Sequence, residues 1–259
     1  NSVDAVADRD WAAELLFACS LLGVHLSRLA EDLIIYGSAE HGFVRLSDRY
    51  STGSSLMPQK RNPDALELAR GKAGRLIGEL AGLLVTLKGL PSGYNKDLQE
   101  DKAALFSAFD TLATLLPAVA GTVATLEIDE TRCRAALDPT MMATDVADAL
   151  VRAGVPFRRA HEIVGRLVRT AEEQGCALDA VPEEVLEAIS AELAALPLAE
   201  VLDPASSVER RSTHGGTALA AVDEQLRAAR TLLADPAPPP GNHWLEEGDP
   251  PSSVARLAS

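Results

Sequence analysis

Apolar residues recur at alternating steps of three and four along the first half of this 259-residue chain. They form three stripes, which run from Trp11 to Tyr36, from Leu66 to Leu87 and from Leu105 to Leu126. A stripe with this period covers one face of an α-helix, and helices that each bury one such face pack side by side. The pattern therefore predicts three long helices that form a bundle.

The second predicted helix has a clear beginning and an unusual composition. Pro63 suits its first position, because the fixed φ of proline is helical and no N–H is needed there, and Asp64 places a favourable negative charge in the first turn. Four glycines each cost this helix about 1 kcal/mol relative to alanine. We expect them to let a neighbouring helix approach closely; they are Gly71, Gly74, Gly78 and Gly82. In the third helix, Pro117 is expected to cause a kink.

The predicted elements become shorter after about residue 132, which indicates a second domain. Apolar periodicity bounded by Gly or Pro predicts short helices at 142–153, 157–174, from Pro182 onward and at 217–233. From Asp235 the chain is Pro-rich and polar without periodicity, as in a disordered tail. We therefore predict an all-α protein in three parts: a central helical bundle at 1–132, a small helical C-terminal domain at 133–234 and a disordered tail at 235–259.

The composition supports helices and argues against several functions. Hydrophobic residues make up 47% of the chain and aromatic residues only 4%, which favours helices over a β-sandwich or barrel. The net charge of −14 argues against a general nucleic-acid partner, although a local positive pocket could still bind an anionic substrate. The uncharged run between Asp110 and Glu127 is too short to span a membrane comfortably, so no membrane partner is expected.

Cysteine and histidine spacing gives no sign of a disulfide framework or a metal site. The three cysteines contain no CxxC pair, and the five histidines contain no HxxxH pair. No signal peptide is visible. We therefore expect a cytoplasmic protein without a bound metal.

The stretch GSSLMPQKRNP, residues 53–63, predicts a reactive loop that leads into the second helix. A serine such as Ser54 on this kind of loop is usually an ordinary loop residue. Here Lys60 adds a cation nearby, and Asn62 can cap the helix or bind a carboxylate. Backbone N–H groups in a glycine-containing loop and at a helix N-terminus favour an anion, and the same field would stabilise a serine that has lost its proton.

The stretch GYNKDLQEDK, residues 93–102, supplies further hydrogen-bond donors between the second and third helices. Tyr94, Gln99 and Lys102 either belong to a solvated helix start or add to an anion site, and the last two lie three residues apart on one helix face. Two other residues are also open to two interpretations. Arg9, which two aspartates flank, either forms a surface ion pair or binds a ligand. Glu67 is either a surface carboxylate or a partner of a catalytic residue.

Several motifs together resemble one enzyme family. GSSLMPQKRNP resembles the signature loop of the fumarase/aspartase superfamily. Four further stretches resemble the corresponding sequences of argininosuccinate lyases: NPDALELARGKAG, TLKGLPSGYNKDLQEDK, MATDVADALVRAGVPFRRAHEIVG and SSVERRSTHGGTA. The resemblance covers about residues 1–234. It implies a fumarase/aspartase-like central domain and reversible cleavage of argininosuccinate to arginine and fumarate by trans elimination without a cofactor. It also implies a homotetramer whose active sites are shared between subunits.

The resemblance implies roles for individual residues. Ser54 would be the catalytic base, Lys60 would act with Asn62 on the substrate carboxylate as its charge develops, and Glu67 would orient a catalytic histidine. The remaining substrate-binding residues would be Arg9, Tyr94, Gln99 and Lys102.

One departure from the family pattern limits this interpretation. Family members carry a Thr-His motif and a substrate-binding asparagine in a segment that would precede Asn1, and none of the five histidines here takes that place on motif grounds. We therefore expect an N-terminally truncated lyase that is inactive alone. Two alternatives stay open: another fumarate-releasing lyase of the superfamily, or a non-catalytic helical oligomer like the lens crystallins that descend from this enzyme.

Overall fold

The structure, a computed structural model, describes residues 1–53, 56–57 and 61–234 as two compact units. The units divide between Ala136 and Leu137. Almost all regular structure is helical, which confirms the predicted all-α class. The sequence placed the domain boundary after residue 132, inside a short helix that belongs wholly to the first unit. The predicted tail at 235–259 lies outside the described residues.

The three predicted long helices are present in the first unit, after the single turn α1 (Asp4–Ala7). They are α2 (Asp10–Tyr36), α3 (Asp64–Leu87) and α4 (Asp101–Thr125). Pro63 precedes α3 instead of beginning it, because its ψ of 51° is not helical. The helix therefore begins one residue later than predicted. Pro117 lies inside α4, and the kink expected there stays a prediction.

Two clusters of buried side chains show how the long helices run. At one end, the start of α2 packs with the end of α3 and the start of α4 through Ala12, Leu16, Leu76, Leu83, Ala104 and Leu105. At the other end, the opposite parts of the same helices meet through Ala30, Leu33, Leu66, Ala69, Leu115 and Val119. Helix α3 is therefore antiparallel to both neighbours. We call these the first end and the second end; α3, whose 24 residues make it about 36 Å long, runs from one to the other.

The close approach of α2 to α3 occurs at a glycine of α2. A methyl group on Gly23 would lie 2.7 Å from Cδ1 of Leu76, and Ser20 Oγ donates a 3.0 Å hydrogen bond to the Leu76 carbonyl. The four glycines of α3 lie on the exposed face of that helix, where no described residue of this chain is within 4 Å of a potential side chain. Within one chain, the expected helix neighbour is therefore absent from the described residues around them.

Two pairs of short antiparallel strands frame the loops of the first unit. Strand β1 (Val44–Arg45) pairs with β4 (Glu127–Ile128), which leads into α5 (Glu130–Ala135). Strand β2 (Thr52–Gly53) pairs with β3 (Arg61–Asn62), with Thr52 opposite Asn62 and Gly53 opposite Arg61. The β2–β3 ladder therefore holds together the two ends of the signature loop, and we call it the loop stem.

The second unit packs short helices around a separate apolar core. Its described helices are α6 (Ala143–Arg152), α7 (Phe157–Gln174), α8 (Glu183–Ile189), α9 (Ala191–Ala194), α10 (Leu198–Val201), α11 (Pro204–Glu209) and α12 (Leu219–Ala234). The core contains Leu150, Ile163, Leu167, Leu178 and Leu193. Gly154 and Gly175, at φ of +94° and +62°, follow α6 and α7, as the sequence predicted. A positive φ ends a helix, and glycine adopts it without strain.

A buried carboxylate joins α6 to the segment that follows α10. Asp145 is only 3% exposed and accepts hydrogen bonds from Arg211, from Ser207 Oγ at 2.8 Å and from Arg210 Nε at 3.1 Å. Burial acts to raise the pKa of Asp145, but these donors outweigh it and hold the pKa below its ordinary value. Because a buried charge is tolerated only when it is paired, this network fixes α11 against α6.

Two helical segments, Asp10–Tyr36 and Lys96–Thr125, are long and apolar enough to cross a membrane by length and composition alone. Both supply buried side chains to the bundle, among them Leu16 and Leu105. Because helices in a protein core pass the same test, these two are weak evidence for a membrane span.

Candidate active site

A cavity of about 430 Å³ lies at the second end of the bundle, between the end of α2 and the start of α3. Asn62 and Glu67 both line it, so the structure brings these two predicted site residues together. Arg45 and Arg61 also line it, and they form ion pairs with Glu127 and Asp48. The first backbone N–H groups of α3 have no helical partners at this position. The start of the helix therefore adds a partial positive charge that favours an anion.

Side-chain contacts reinforce the loop stem beside this cavity. Thr52 Oγ1 donates to a carboxylate oxygen of Asp64 in the first turn of α3. Arg61 forms an ion pair with Asp48, which lies in the 3₁₀ turn Asp48–Tyr50 just before β2. These contacts tie both arms of the stem to their surroundings. Two further groups of the signature loop, Ser54 and Lys60, lie outside the described residues. The chain itself places one directly after Gly53 and the other directly before Arg61.

A second group of predicted site residues surrounds a buried carboxylate at the first end. Asp101 is 4% exposed; it accepts a 2.6 Å hydrogen bond from Arg9 Nε and a 3.0 Å hydrogen bond from Lys102 Nζ. Arg9 Nη1 also donates to the carbonyl of Asp8 at 2.9 Å. The cluster of two cations and one carboxylate has a net charge of +1, and its exposed member is Lys102. Lys102 is therefore the cation of this cluster that a ligand could reach.

Asp101 is the residue of this cluster that the sequence reasoning missed. The sequence predicted a surface ion pair or a ligand clamp for Arg9, but its partner lies 92 positions along the chain and is buried. One signal was present: Asp101 lies one helical turn before Leu105, on the apolar face of α4. A charged residue on an apolar face usually has a buried partner.

The electrostatics of Asp101 lead to a prediction about stability and pH. Burial acts to raise its pKa, but hydrogen bonds from Lys102 and Arg9 outweigh it and lower the pKa. A lowered folded-state pKa stabilises the fold above the ordinary pKa of aspartate, and this contribution is lost as the pH falls through the folded-state pKa. We expect Asp101→Asn to destabilise the chain by about 3 kcal/mol at pH 6 and to weaken the loss of stability between pH 6 and pH 3.

Urea unfolding followed by circular dichroism measures both effects. Asp110→Asn is the matched control, because Asp110 is exposed on the same helix. Equal pH dependence in the two variants would show that Asp101 carries no such stabilisation.

The remaining predicted residues also lie at the first end, exposed to solvent. Tyr94 follows Gly93, which has a φ of +90°, and it is 55% exposed. Gln99 lies near the end of the 3₁₀ helix Lys96–Glu100, which leads directly into α4 and is anchored by the buried side chain of Leu98. Both side chains are therefore available to a ligand.

The predicted site residues thus form two groups at opposite ends of the helical bundle. Asn62 and Glu67 are at the second end, whereas the group at the first end contains Arg9, Tyr94, Gln99 and Lys102. Because most of α3, which is about 36 Å long, lies between them, no small substrate could contact both groups of one chain. Among the described residues, no three His, Cys, Asp or Glu side chains converge as a metal site, and the absence of a cofactor stays a prediction.

The described part of the chain has the architecture of the fumarase/aspartase-type lyases: a bundle of long helices, the loop stem at one end of that bundle and a small helical C-terminal unit. A solved variant of EDDS lyase with bound fumarate has a TM-score of 0.76 and 30% identity, over 91% of this chain and 48% of that one. A class II fumarase from Schistosoma mansoni has a TM-score of 0.58 over 74% of this chain and 41% of that one; at 17% identity it supports the fold alone.

Sequence comparisons identify the family within this class. A model described as "Lyase" matches residues 1–78, and one described as "Argininosuccinate lyase C-terminal" matches residues 140–209. The argininosuccinate lyase of Roseiflexus sp. (strain RS-1) is 60% identical and that of Herpetosiphon aurantiacus 57% identical, each over 91% of this chain and 51% of the relative. The chain belongs to the argininosuccinate lyase family. It spans about half the length of the curated relatives it matches.

Proposed function

We propose that this chain is part of an argininosuccinate lyase, a carbon–nitrogen lyase of arginine biosynthesis that cleaves argininosuccinate reversibly to arginine and fumarate. The observation that carries the proposal is the 60% identity to the Roseiflexus enzyme over 91% of the chain. The cavity at the start of α3 supports it, since Asn62 and a helix N-terminus suit a carboxylate ligand. The fumarate bound to the related EDDS lyase supports fumarate as the released product.

The chemistry is a trans elimination in which each proposed residue has one task. Ser54, as the alkoxide, takes a proton from the carbon next to a substrate carboxylate. The electron pair of that C–H bond moves into the carboxylate, which becomes a doubly negative aci-carboxylate held by Lys60 and Asn62. The pair then forms the carbon–carbon double bond of fumarate as the C–N bond breaks. The guanidino nitrogen takes a proton from a general acid and leaves as arginine.

The active site is proposed to combine residues of different subunits in a homotetramer. The length of α3 between the two groups of site residues supports this arrangement, because another subunit can bring its first end to the second end of this one. Exposed apolar side chains on the long helices also support it: Leu68 is 59%, Val85 61% and Phe106 65% exposed. Apolar surface of this extent on helices favours association with further helices.

The proposed protein is a cytoplasmic enzyme that needs no cofactor. Elimination next to a carboxylate requires a base, an acid and positive groups for the developing charge, all of which side chains supply. The three cysteines are free among the described residues, consistent with a reducing compartment.

A fusion enzyme provides the test of this function. The half of the Roseiflexus relative that this chain does not match is joined ahead of Asn1, and fumarate release is followed by its ultraviolet absorbance. We expect turnover of argininosuccinate and little turnover of adenylosuccinate, aspartate or EDDS. Preference for one of the other substrates would support the second candidate, a different fumarate-releasing lyase, which the 30% identity to EDDS lyase favours less.

The role of Lys60 gives a kinetic prediction. In the fusion enzyme, Lys60→Met should lower kcat more than it raises KM, because the negative charge that Lys60 meets grows in the transition state. Arg230→Met, on the exposed face of α12, is the control for loss of a long cationic side chain. If Lys60→Met raises KM and leaves kcat unchanged, Lys60 binds substrate and transition state equally and its proposed role is wrong.

A further inference from the structure

The ring of Tyr50 packs directly against the backbone of α4 at Gly121. A methyl group on Gly121 would lie 2.7 Å from Cε1 of Tyr50 and closer still to the phenolic end of the ring. Glycine is unfavourable in the interior of a helix. The Tyr50 ring fills the space that any other side chain at this position would need, which accounts for the glycine.

Tyr50 is held firmly on its own side of this contact. It ends the 3₁₀ turn Asp48–Tyr50, in which its N–H donates to the carbonyl of Ser47 at 3.0 Å. Ser51 Oγ donates to the same carbonyl at 3.1 Å, and the Arg49 guanidinium lies 5.9 Å from the centre of the Tyr50 ring. The ring position is therefore coupled to the backbone at Ser51, where the chain enters β2.

The coupling continues from Tyr50 to both arms of the loop stem. Thr52 is paired with Asn62 across the β2–β3 ladder, and Asp48 in the turn forms an ion pair with Arg61. A displacement of the turn would therefore move both strands, together with Asn62 in the cavity.

We propose that the packing of Tyr50 on Gly121 is a positioning contact that fixes the loop stem relative to the bundle. Neither residue lines the cavity. Both would affect the site by fixing the position of the loop stem. The kinetic consequence rests on the proposed function, in which the catalytic base directly follows Gly53 and Asn62 binds the substrate.

Gly121→Ala in the fusion enzyme tests the contact. We expect kcat to fall about tenfold to a hundredfold, as small misplacements of reacting groups commonly cause, with KM within about threefold of the parent. Gly165→Ala in α7 is the matched control, since nothing lies within 4 Å of its potential side chain, and it should retain the parental kcat. A parental kcat in Gly121→Ala would overturn the proposal.

Tyr50→Leu distinguishes this contact from a general defect of α4. Leucine lacks the outer ring atoms, so this variant alone should also lose kcat, and adding Gly121→Ala should cause no further loss. If the fold-loss of kcat in the double variant equals the product of the two single losses, the two residues act independently, and this result would contradict the proposal. If Gly121→Ala fails to fold, a parental kcat in Tyr50→Leu is by itself enough to overturn the proposal.

A readout without catalysis separates this proposal from the proposed function. In the 259-residue chain, trypsin can cleave after Lys60 and Arg61, and we expect Gly121→Ala to accelerate this cleavage at least threefold while Gly165→Ala leaves it unchanged. Equal cleavage rates in Gly121→Ala and the parent chain would overturn the proposal that this contact positions the stem. If the parent fusion releases no fumarate, the lyase proposal fails, but the tryptic comparison still tests the stem.

Discussion

Ser54→Ala in the fusion enzyme should lower kcat by about two to four orders of magnitude, because it removes the group that is proposed to take the proton. Argininosuccinate should still bind, since the carboxylate and amine ligands elsewhere in the site are intact. Steady-state kinetics of fumarate release give kcat, and calorimetric titration of the variant gives the substrate affinity.

The neighbouring serine supplies the matched control for this prediction. Ser55→Ala removes a hydroxyl from the same loop and should lose far less activity than Ser54→Ala. A kcat for Ser54→Ala within tenfold of the parent would assign the proton transfer to another group.

The long helices could be predicted from sequence because a period near 3.6 determines which residues share a face. The same period cannot show what covers each face. Gly71 and Gly78 illustrate this limit, since they share a face of α3 that no described residue of the chain covers, while Gly23 makes the close contact with that helix. The start of α3 was predicted one residue early because proline fixes φ but leaves ψ open.

The candidate site could be predicted in its residue types and less well in its arrangement. The signature loop and the GYNKDLQEDK stretch follow one another along the chain, but a helix of 24 residues separates them and places them at opposite ends. That separation can be predicted from the length of the helix. The ion pair of Arg9 with Asp101 cannot be predicted in this way, because a contact across 92 positions depends on how three helices pack.

The 259-residue chain alone should be catalytically silent and should self-associate. Silence is expected because the family's Thr-His motif and substrate-binding asparagine have no counterparts here on motif grounds, so Ser54 lacks the partners for proton transfer to the leaving nitrogen. Association is expected because the exposed apolar faces of α2, α3 and α4 need partner helices. Light scattering measures the size, and a monomer would contradict the second expectation.

Mixing the chain with a disabled partner tests whether one active site combines residues of different subunits. The partner is the fusion enzyme with Ser54→Ala, which also carries the added half of the Roseiflexus relative. In a mixed oligomer, the chain contributes an intact signature loop and the partner contributes the remaining groups. A site built from different subunits should then be complete at some positions. A second mixture, in which the chain also carries Ser54→Ala, is the control.

The most direct test is fumarate release from argininosuccinate by three samples of equal concentration: the chain, the disabled fusion enzyme and their mixture. The account predicts two silent samples and an active mixture, with the activity lost when both partners carry Ser54→Ala. An inactive mixture in which light scattering shows joint oligomers would contradict a lyase site assembled from different subunits. Clear activity of the chain alone would contradict the account of the groups that it needs from the partner.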